Sequence, residues 1–266
     1  MWPHMSTVPA SENLYNGEQE IFDTIYNPAS TKWLLRAQKA GIKGQSGLKM
    51  LLLQAVKAQQ IWSPDVHFED AKMLSILPEL SEKLLSLFPV KYVFTGFMGA
   101  GKTAVTSRLS RRLNIPYFDL DAEIVKARGC SIPEIFERDG EAGFRKAEAL
   151  VLDELLQKRG SALISLGGGA ILQETVREII EKNQALTVYL QASLECIWKR
   201  IAYSKNRPML GDFSDSEHAR FMKAARLYEM RLPIYEKYCD TIVNAENGIE
   251  AVVESAMQAL GYGSSS

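Results

Sequence analysis

The stretch Tyr92-Val93-Phe94-Thr95-Gly96-Phe97-Met98-Gly99-Ala100-Gly101-Lys102-Thr103 decides the fold. An apolar strand, Tyr92-Val93-Phe94, runs into residues 96–103, which match the phosphate-loop pattern G-x-x-x-x-G-K-[ST]. The loop opens a helix with an apolar stripe of Val105, Leu109 and Leu113. Glycines at these places let successive backbone N–H groups face one concavity around phosphate oxygens. The helix N-terminus adds a favourable dipole. In such a loop Lys102 reaches the β and γ phosphates, and the Thr103 hydroxyl binds Mg2+. The nucleotide-binding candidates here are therefore Gly99, Ala100, Gly101, Lys102, Thr103 and Ala104. Chance produces this pattern in roughly one chain in a hundred, and the strand–loop–helix context lowers that further.

Outward from the loop, strands and helices alternate. Candidate strands lie at 91–95, 115–118, 162–166, 187–190 and 241–243. The clearest helix is the last, with Ile249, Val252, Val253, Ala256, Met257 and Leu260 on one stripe. Five short apolar strands with helical crossovers imply a parallel, doubly wound sheet. Ligands in such sheets sit outside the carboxyl ends of the strands.

Two carboxylates, Asp119 and Asp121, follow the second strand in Phe118-Asp119-Leu120-Asp121. Alternation along an extended chain sends both to one side. One is suited to the metal shell, the other to accepting a hydrogen bond from an acceptor hydroxyl. The competing reading makes Asp121 a cap for the helix beginning at Ala122.

Composition excludes several classes. With 31 basic and 32 acidic residues among 266, bulk-charge binding to nucleic acid is disfavoured. Cys130, Cys196 and Cys239 are scattered, which argues against a disulfide framework or zinc site and fits a reducing cytosol. His4, His67 and His218 show no ligand spacing. No apolar run approaches the roughly 20 residues needed to span a bilayer. The N-terminus lacks the basic and apolar regions of a signal peptide, so a cytoplasmic protein is expected.

From Lys91 to about Leu260 the chain resembles the shikimate kinases. The resemblance rests on the phosphate loop, Asp119-Leu120-Asp121, Phe144-Arg145-Lys146-Ala147-Glu148, Ser165-Leu166-Gly167-Gly168-Gly169-Ala170, Asn206-Arg207-Pro208-Met209-Leu210 and Arg231-Leu232-Pro233-Ile234-Tyr235. These occur in the family's order and at close to its spacing. The resemblance implies a P-loop NTPase-type three-layer α/β sandwich with a five-stranded parallel sheet. It implies phosphorylation of the shikimate 3-hydroxyl by ATP with Mg2+, on the route to aromatic amino acids.

The same resemblance assigns roles. Arg145 and Arg231 are the substrate carboxylate clamps, a task that suits planar guanidinium groups. Asp121 holds the ring hydroxyls and is the base for the 3-hydroxyl. The backbone of Gly167, Gly168 and Gly169 admits the substrate closely. Glu148, three residues from Arg145, shares its helix face and is placed to orient it. Arg207 belongs to a lid over 204–216 that closes on the transferred phosphoryl group. Arg200 stacks on adenine, and Asn247 lies in the adenine loop, although Asn244-Ala245-Glu246-Asn247-Gly248 departs from the usual pattern. Catalysis thus falls to Lys102, Asp121 and Arg207. The metal falls to Thr103 directly and Asp119 through water, with Ser165 assisting. Phe136 and Phe144 read as core residues that also wall the pocket in the family.

The first ninety residues depart from that family. Residues 1–22 are polar and read as a flexible N-terminus. Residues 23–89 read as a helical appendage, with Leu48, Leu51, Leu52, Ala55 and Trp62 at helical spacing, then Leu77, Leu80, Leu84 and Phe88. The kinase-like part takes 90–261, and 262–266 form a disordered tail. Tyr26-Asn27-Pro28, Thr31, Leu34-Leu35, Ala37, Gly41, Gly47-Leu48, Met50-Leu51, Gln54-Ala55 and Trp62 look like the carboxyl-terminal segment of shikimate dehydrogenases. In that family the positions of Tyr26 and Gln54 contact shikimate. The rest of a dehydrogenase is missing, including any Rossmann glycine fingerprint. Fusion relic or piece of a fusion are both open. The apolar stripes need a partner surface, either the kinase-like part or a second subunit.

Rival readings are a related small-molecule kinase, such as a gluconate kinase, and a regulatory nucleotide-binding module without catalysis. Arg145, Arg231, Asp121 and the glycine run favour shikimate. The presence of Lys102, Asp121 and Arg207 disfavours the module.

Overall fold

A computed structural model of the chain describes residues 19–63, 65, 72, 75–76, 79–80, 83, 87–202 and 216–262. Arg207, most of the lid stretch, Leu77, Leu84, His4, His67 and nearly all of the flexible N-terminus and tail lie outside the described residues. The chain divides into two compact units. One comprises Met1–Val90, Arg159–Ser161 and Glu254–Ser266; the other comprises Lys91–Lys158 and Ala162–Val253.

The first unit carries strand β1 (Glu20–Asp23), helix α1 (Lys32–Lys39), strand β2 (Lys43–Ser46) and helix α2 (Leu48–Trp62). β1 and β2 pair in parallel. The purely helical reading of 23–89 therefore omits β2 and the last residue of β1, and Glu20, Ile21 and Phe22 are extended pairing residues rather than a loose leader. The reason is local. β1 is four residues long, and β2 reads Lys-Gly-Gln-Ser, with no apolar residue to show a period. Backbone pairing defines these strands, while Ile21, Leu34, Ala37 and Ile42 supply a small core. Thr31 caps α1 and donates its hydroxyl to buried Asp23 at 2.6 Å. A Cβ on Gly47 would stand 2.2 Å from the Thr24 carbonyl oxygen, so only glycine fits where α2 begins. Leu48, Leu52 and Val56 form the buried stripe of α2, whereas Trp62 is 77% exposed and Ala55 faces outward. In the same unit Gly261, at φ +82°, lies against Ala29 and Ser30.

The second unit is built on a parallel five-stranded sheet. Its strands are β3 (Lys91–Thr95), β4 (Tyr117–Asp119), β5 (Ala162–Ser165), β6 (Leu186–Gln191) and β7 (Thr241–Asn244), in the order β4-β5-β3-β6-β7. β4 starts later than the run 115–118, because Pro116 has no N–H for the ladder and Ile115 bonds back to Ser110 at 3.2 Å. The central strand β3 is buried along its whole length, as a parallel sheet covered on both faces requires. Around it run α3 (Lys102–Leu113), α4 (Leu120–Arg128), α5 (Ile132–Gln157), α6 (Glu174–Lys182), α7 (Leu194–Ile201) and α8 (Glu217–Tyr238). A last helix, α9 (Ile249–Ala259), is divided between the units at Val253; Val252 and Val253 are buried in the second, and Ala256 and Leu260 in the first. α5 bends at Gly140, which leaves helical geometry at φ 67°. α8 passes through Pro233 to Tyr238, so Pro233 does not end it.

Candidate active site

The phosphate loop follows β3 at the carboxyl edge of the sheet. Gly96, Gly99 and Gly101 have φ of 143°, 81° and 93°, a region side chains resist. A Cβ on Gly96 would come within 2.7 Å of the Leu190 carbonyl oxygen. One on Gly99 would come within 2.4 Å of Ile201 Cγ2. β6 and α7 thus press on the loop at Gly96 and Gly99. Lys102 is buried, and its Nζ donates to the carbonyls of Gly96 at 2.8 Å and Phe97 at 3.1 Å. The ammonium is held over the loop by the loop's own backbone.

Three oxygens from three elements meet beside it. Thr103 Oγ1, at the start of α3, donates to Asp119 Oδ2 at 2.6 Å and lies 3.5 Å from Ser165 Oγ. Register explains the meeting: Asp119 is paired with Ser165 across β4 and β5. An all-oxygen set with one carboxylate and two hydroxyls suits a hard cation that keeps much of its water. Among the described residues no group of three or more His, Cys, Asp and Glu side chains forms a metal cage.

Asp119 is also the cap of α4, accepting from the Ala122 amide at 3.3 Å. The cap is therefore Asp119 and not Asp121. Asp121 lies in the first turn of α4, so strand alternation cannot be what orients it. The chain turns helical at Leu120, and helical geometry sets the direction of the second carboxylate. Burial raises the Asp121 carboxyl above its ordinary range; the Asp119 charge adds to this, and Lys102 and Arg145 oppose it. The two carboxylates thus share one electrostatic neighbourhood with the loop lysine.

The acid-binding candidates converge on the glycine run after β5. A Cβ on Gly167 would stand 2.9 Å from Asp121 Oδ1 and 3.3 Å from Glu148 Oε1. One on Gly169 would stand 3.1 Å from Arg145 Nη2. One on Gly168 would meet Met98 N at 3.4 Å and Arg231 Nη1 at 3.8 Å. The run therefore touches both arginines, the candidate base and the phosphate loop. Arg145 Nη1 donates to Glu148 Oε2 at 2.8 Å, as the three-residue spacing anticipates. It also donates to Glu141 at 3.3 Å, a partner that sequence reading missed although it lies four residues away on the same face. Its Nε is buried without a hydrogen-bond partner among the described residues. Glu148 is buried, which raises its pKa; Arg145 opposes that shift, and Asp121 adds to it. Arg231 is 6% exposed and donates to the Gly168 carbonyl at 3.3 Å. Neither guanidinium points away into solvent.

Phe144 is buried, but Phe136, stacked on it at 4.7 Å, is 40% exposed and is not a core residue. Arg200 donates to the carbonyl of Ala245 at 2.8 Å and reaches that of Gly99 at 3.5 Å. It joins the loop after β7, where exposed Asn247 lies, to the phosphate loop. Ala104 and Thr103 are exposed at the head of α3, and Ala100 is buried. On α8, Tyr228 meets Phe97 edge-on at 5.5 Å, and Tyr235 donates its hydroxyl to the Gly168 carbonyl. Arg231 and Tyr235, four residues apart, share one helical face, a spacing that would have singled out Tyr235 beside Arg231.

Comparison with known proteins places this geometry among relatives. The shikimate kinase family matches residues 98–261. A shikimate kinase of Ruegeria pomeroyi is 42% identical over 169 residues, 63% of this chain and 83% of the relative. One from Burkholderia pseudomallei is 39% identical over 176 residues, 65% of this chain and 92% of the relative. Among solved structures, the shikimate kinase from Acinetobacter baumannii in complex with shikimate is similar with a TM-score of 0.59 at 32% identity. That likeness covers 66% of this chain and 95% of the other.

Proposed function

The chain belongs to the shikimate kinase family, and from that premise we propose how its residues divide the work. It is a kinase that phosphorylates shikimate at the expense of ATP. The acceptor is the 3-hydroxyl, and the product is shikimate 3-phosphate.

The observation that carries the residue assignment is the meeting of Asp121, Arg145 and Arg231 on Gly167, Gly168 and Gly169, beside Met98 of the phosphate loop. Arg145 and Arg231 hold the substrate carboxylate through planar, charge-assisted hydrogen bonds. Glu148 and Glu141 orient Arg145 from the same helix. Asp121 accepts the proton of the 3-hydroxyl at its carboxylate as that oxygen attacks the γ-phosphorus, while the bond from that phosphorus to the β,γ-bridging oxygen breaks and ADP leaves. Its raised affinity for protons makes it a better acceptor than an exposed aspartate. Gly99, Ala100, Gly101 and Ala104 contribute backbone N–H groups to the nucleotide phosphates, and Lys102 neutralises developing charge. Arg200 and Asn247 flank the adenine, and Arg207 completes charge compensation over the transferred group.

Phosphoryl transfer of this kind generally uses a divalent metal. Mg2+ is the ion that fits Thr103, Asp119 and Ser165, and when bound it spreads the phosphate charge. Among the described residues no helix is long and apolar enough to cross a membrane. A cytoplasmic setting without nucleic-acid or membrane partners suits the near-neutral charge balance. For residues 23–89, exposed Ile61 and Trp62 at the end of α2 favour self-association. Limited proteolysis that removed this part without changing the number of copies per particle in solution, or the thermal stability, would end that idea.

Incubation with Mg-ATP and shikimate, quinate or gluconate tests the whole reading. ADP release that depends on shikimate alone is expected. Release with gluconate instead, or ATP binding without turnover on any acceptor, would overturn it.

A further inference from the structure

Tyr235 has no part in the assignment above, yet its hydroxyl is committed to the same peptide as Arg231. The ring is fully buried and stacked on Tyr189, with centroids 5.2 Å apart and planes at 26°. The hydroxyl donates to the Gly168 carbonyl oxygen, which also accepts from Arg231 Nη1 at 3.3 Å. Tyr235 lies four residues after Arg231, so both reach this oxygen from one face of α8. A carbonyl has two lone pairs and can take both donors. Burial pushes the phenol up to about 12 against the opposing effect of Arg231, so it remains a neutral donor through the working pH range.

The target matters because of what it is. Gly168 is the middle of three glycines, and such a run has little torsional restraint of its own. Fixing one carbonyl fixes the peptide plane, and with it the Gly169 N–H, which points the opposite way across a trans peptide. Arg145 lies along Gly169, and Asp121 and Glu148 lie along Gly167. A rotation of this one plane would therefore be felt by every group on the acid-binding side.

We propose that Tyr235 is a positioning residue for the acid substrate: its hydroxyl holds the Gly168 peptide so that the glycine run and Arg231 present one fixed surface to shikimate. This rests on the assignment of Arg231 and the glycine run to the shikimate carboxylate side. Packing alone does not account for the hydroxyl. A phenylalanine would keep the stack on Tyr189, and the Gly168 oxygen would still accept from Arg231.

The test is Tyr235→Phe in the full chain, with Tyr228→Phe as control and Arg231→Lys alongside. Tyr228 donates to the Ala192 carbonyl at 3.0 Å from the same helix, so its loss reports general loosening of α8. Tyr235→Phe is expected to raise the KM for shikimate about five- to tenfold, with the KM for ATP and kcat within about twofold. Tyr228→Phe is expected to leave the shikimate KM unchanged. A shikimate KM unchanged in Tyr235→Phe but raised in Arg231→Lys would overturn the role of Tyr235 and leave the carboxylate assignment standing. A KM unchanged in Arg231→Lys would remove that assignment and the inference with it. Equal rises for ATP and shikimate would reduce Tyr235 to a packing residue. Calorimetric shikimate binding, counted per ATP-binding site, separates the same outcomes if the variant folds in low yield.

Discussion

The proposed phosphate half of the site draws on consecutive residues, 96–103, whereas the proposed acid half draws on Asp121, Arg145, residues 167–169 and Arg231. The first is held by backbone conformation, with three glycines at positive φ. The second is held by side chains from α4, α5 and α8 meeting at one loop. A contiguous cradle can be damaged by a single methyl group. An assembled pocket can be damaged from several distant positions, and each should spare the cradle.

The largest break in that contrast is Asp121→Asn. Turnover should fall by about 10²- to 10⁴-fold, with ATP affinity nearly intact, as measured by coupled ADP release and nucleotide titration. The same change should raise thermal stability at neutral pH. Asp121 has a folded pKa above its unfolded value, so the folded protein binds the extra proton in the window between the two. Stability then falls as pH rises through that window, and above it the ionised carboxylate weighs against the fold. Retained turnover or a lowered Tm would break this account.

Gly96→Ala attacks the other half. The new methyl group meets a backbone oxygen at 2.7 Å while φ stays at 143°. A loss of about 3 kcal/mol in unfolding free energy, together with weakened ATP binding, should appear in denaturant titration. Unaltered ATP affinity would mean that the cradle tolerates what its geometry forbids.

A pH profile sharpens the comparison without mutation. Asp121 and Glu148 are both shifted upward, chiefly by burial. The acid limb of kcat/KM for shikimate should therefore lie above the ordinary carboxylate range, falling about tenfold per pH unit below it. A limb at or below that range would place the base in a wetter site. ATP binding should lack the limb set by Asp121 and Glu148, because neither carboxyl belongs to the phosphate loop.

The smallest effect belongs to the outer face of the phosphate helix. Glu250 pairs with Arg108 at 2.9 Å and Arg112 at 3.3 Å; Glu250 and Arg112 are exposed and Arg108 is half-buried. Glu250→Ala should cost under about 1 kcal/mol in chemical denaturation and leave both KM values unchanged.

Legibility followed the same division. The motif at residues 96–103 is legible because phosphate binding needs adjacent backbone groups, and adjacency is written in the chain. The parallel sheet was legible because strands buried on both faces are apolar runs. β2 was not, because Lys-Gly-Gln-Ser has no period to read and exists only by pairing with β1. Ala55 and Trp62 matched a helical stripe in spacing yet lie outside the face that α2 buries, since the partner surface selects the face. The strand alternation read for Asp121 does not hold, because where a strand ends and a helix begins is decided by capping at Asp119.

By itself the sequence determined the loop, the order of strands and helices, and the residue types from which a phosphate and a carboxylate can be held. These are local properties, since propensity, period and motif act within a few residues. The tertiary structure alone decided that Thr103, Asp119 and Ser165 share a corner, and that Arg145, Arg231 and Tyr235 close on one glycine run. Burial, desolvation and hydrogen-bond sharing depend on distance in space, and chain separation carries little information about that distance until the sheet has formed.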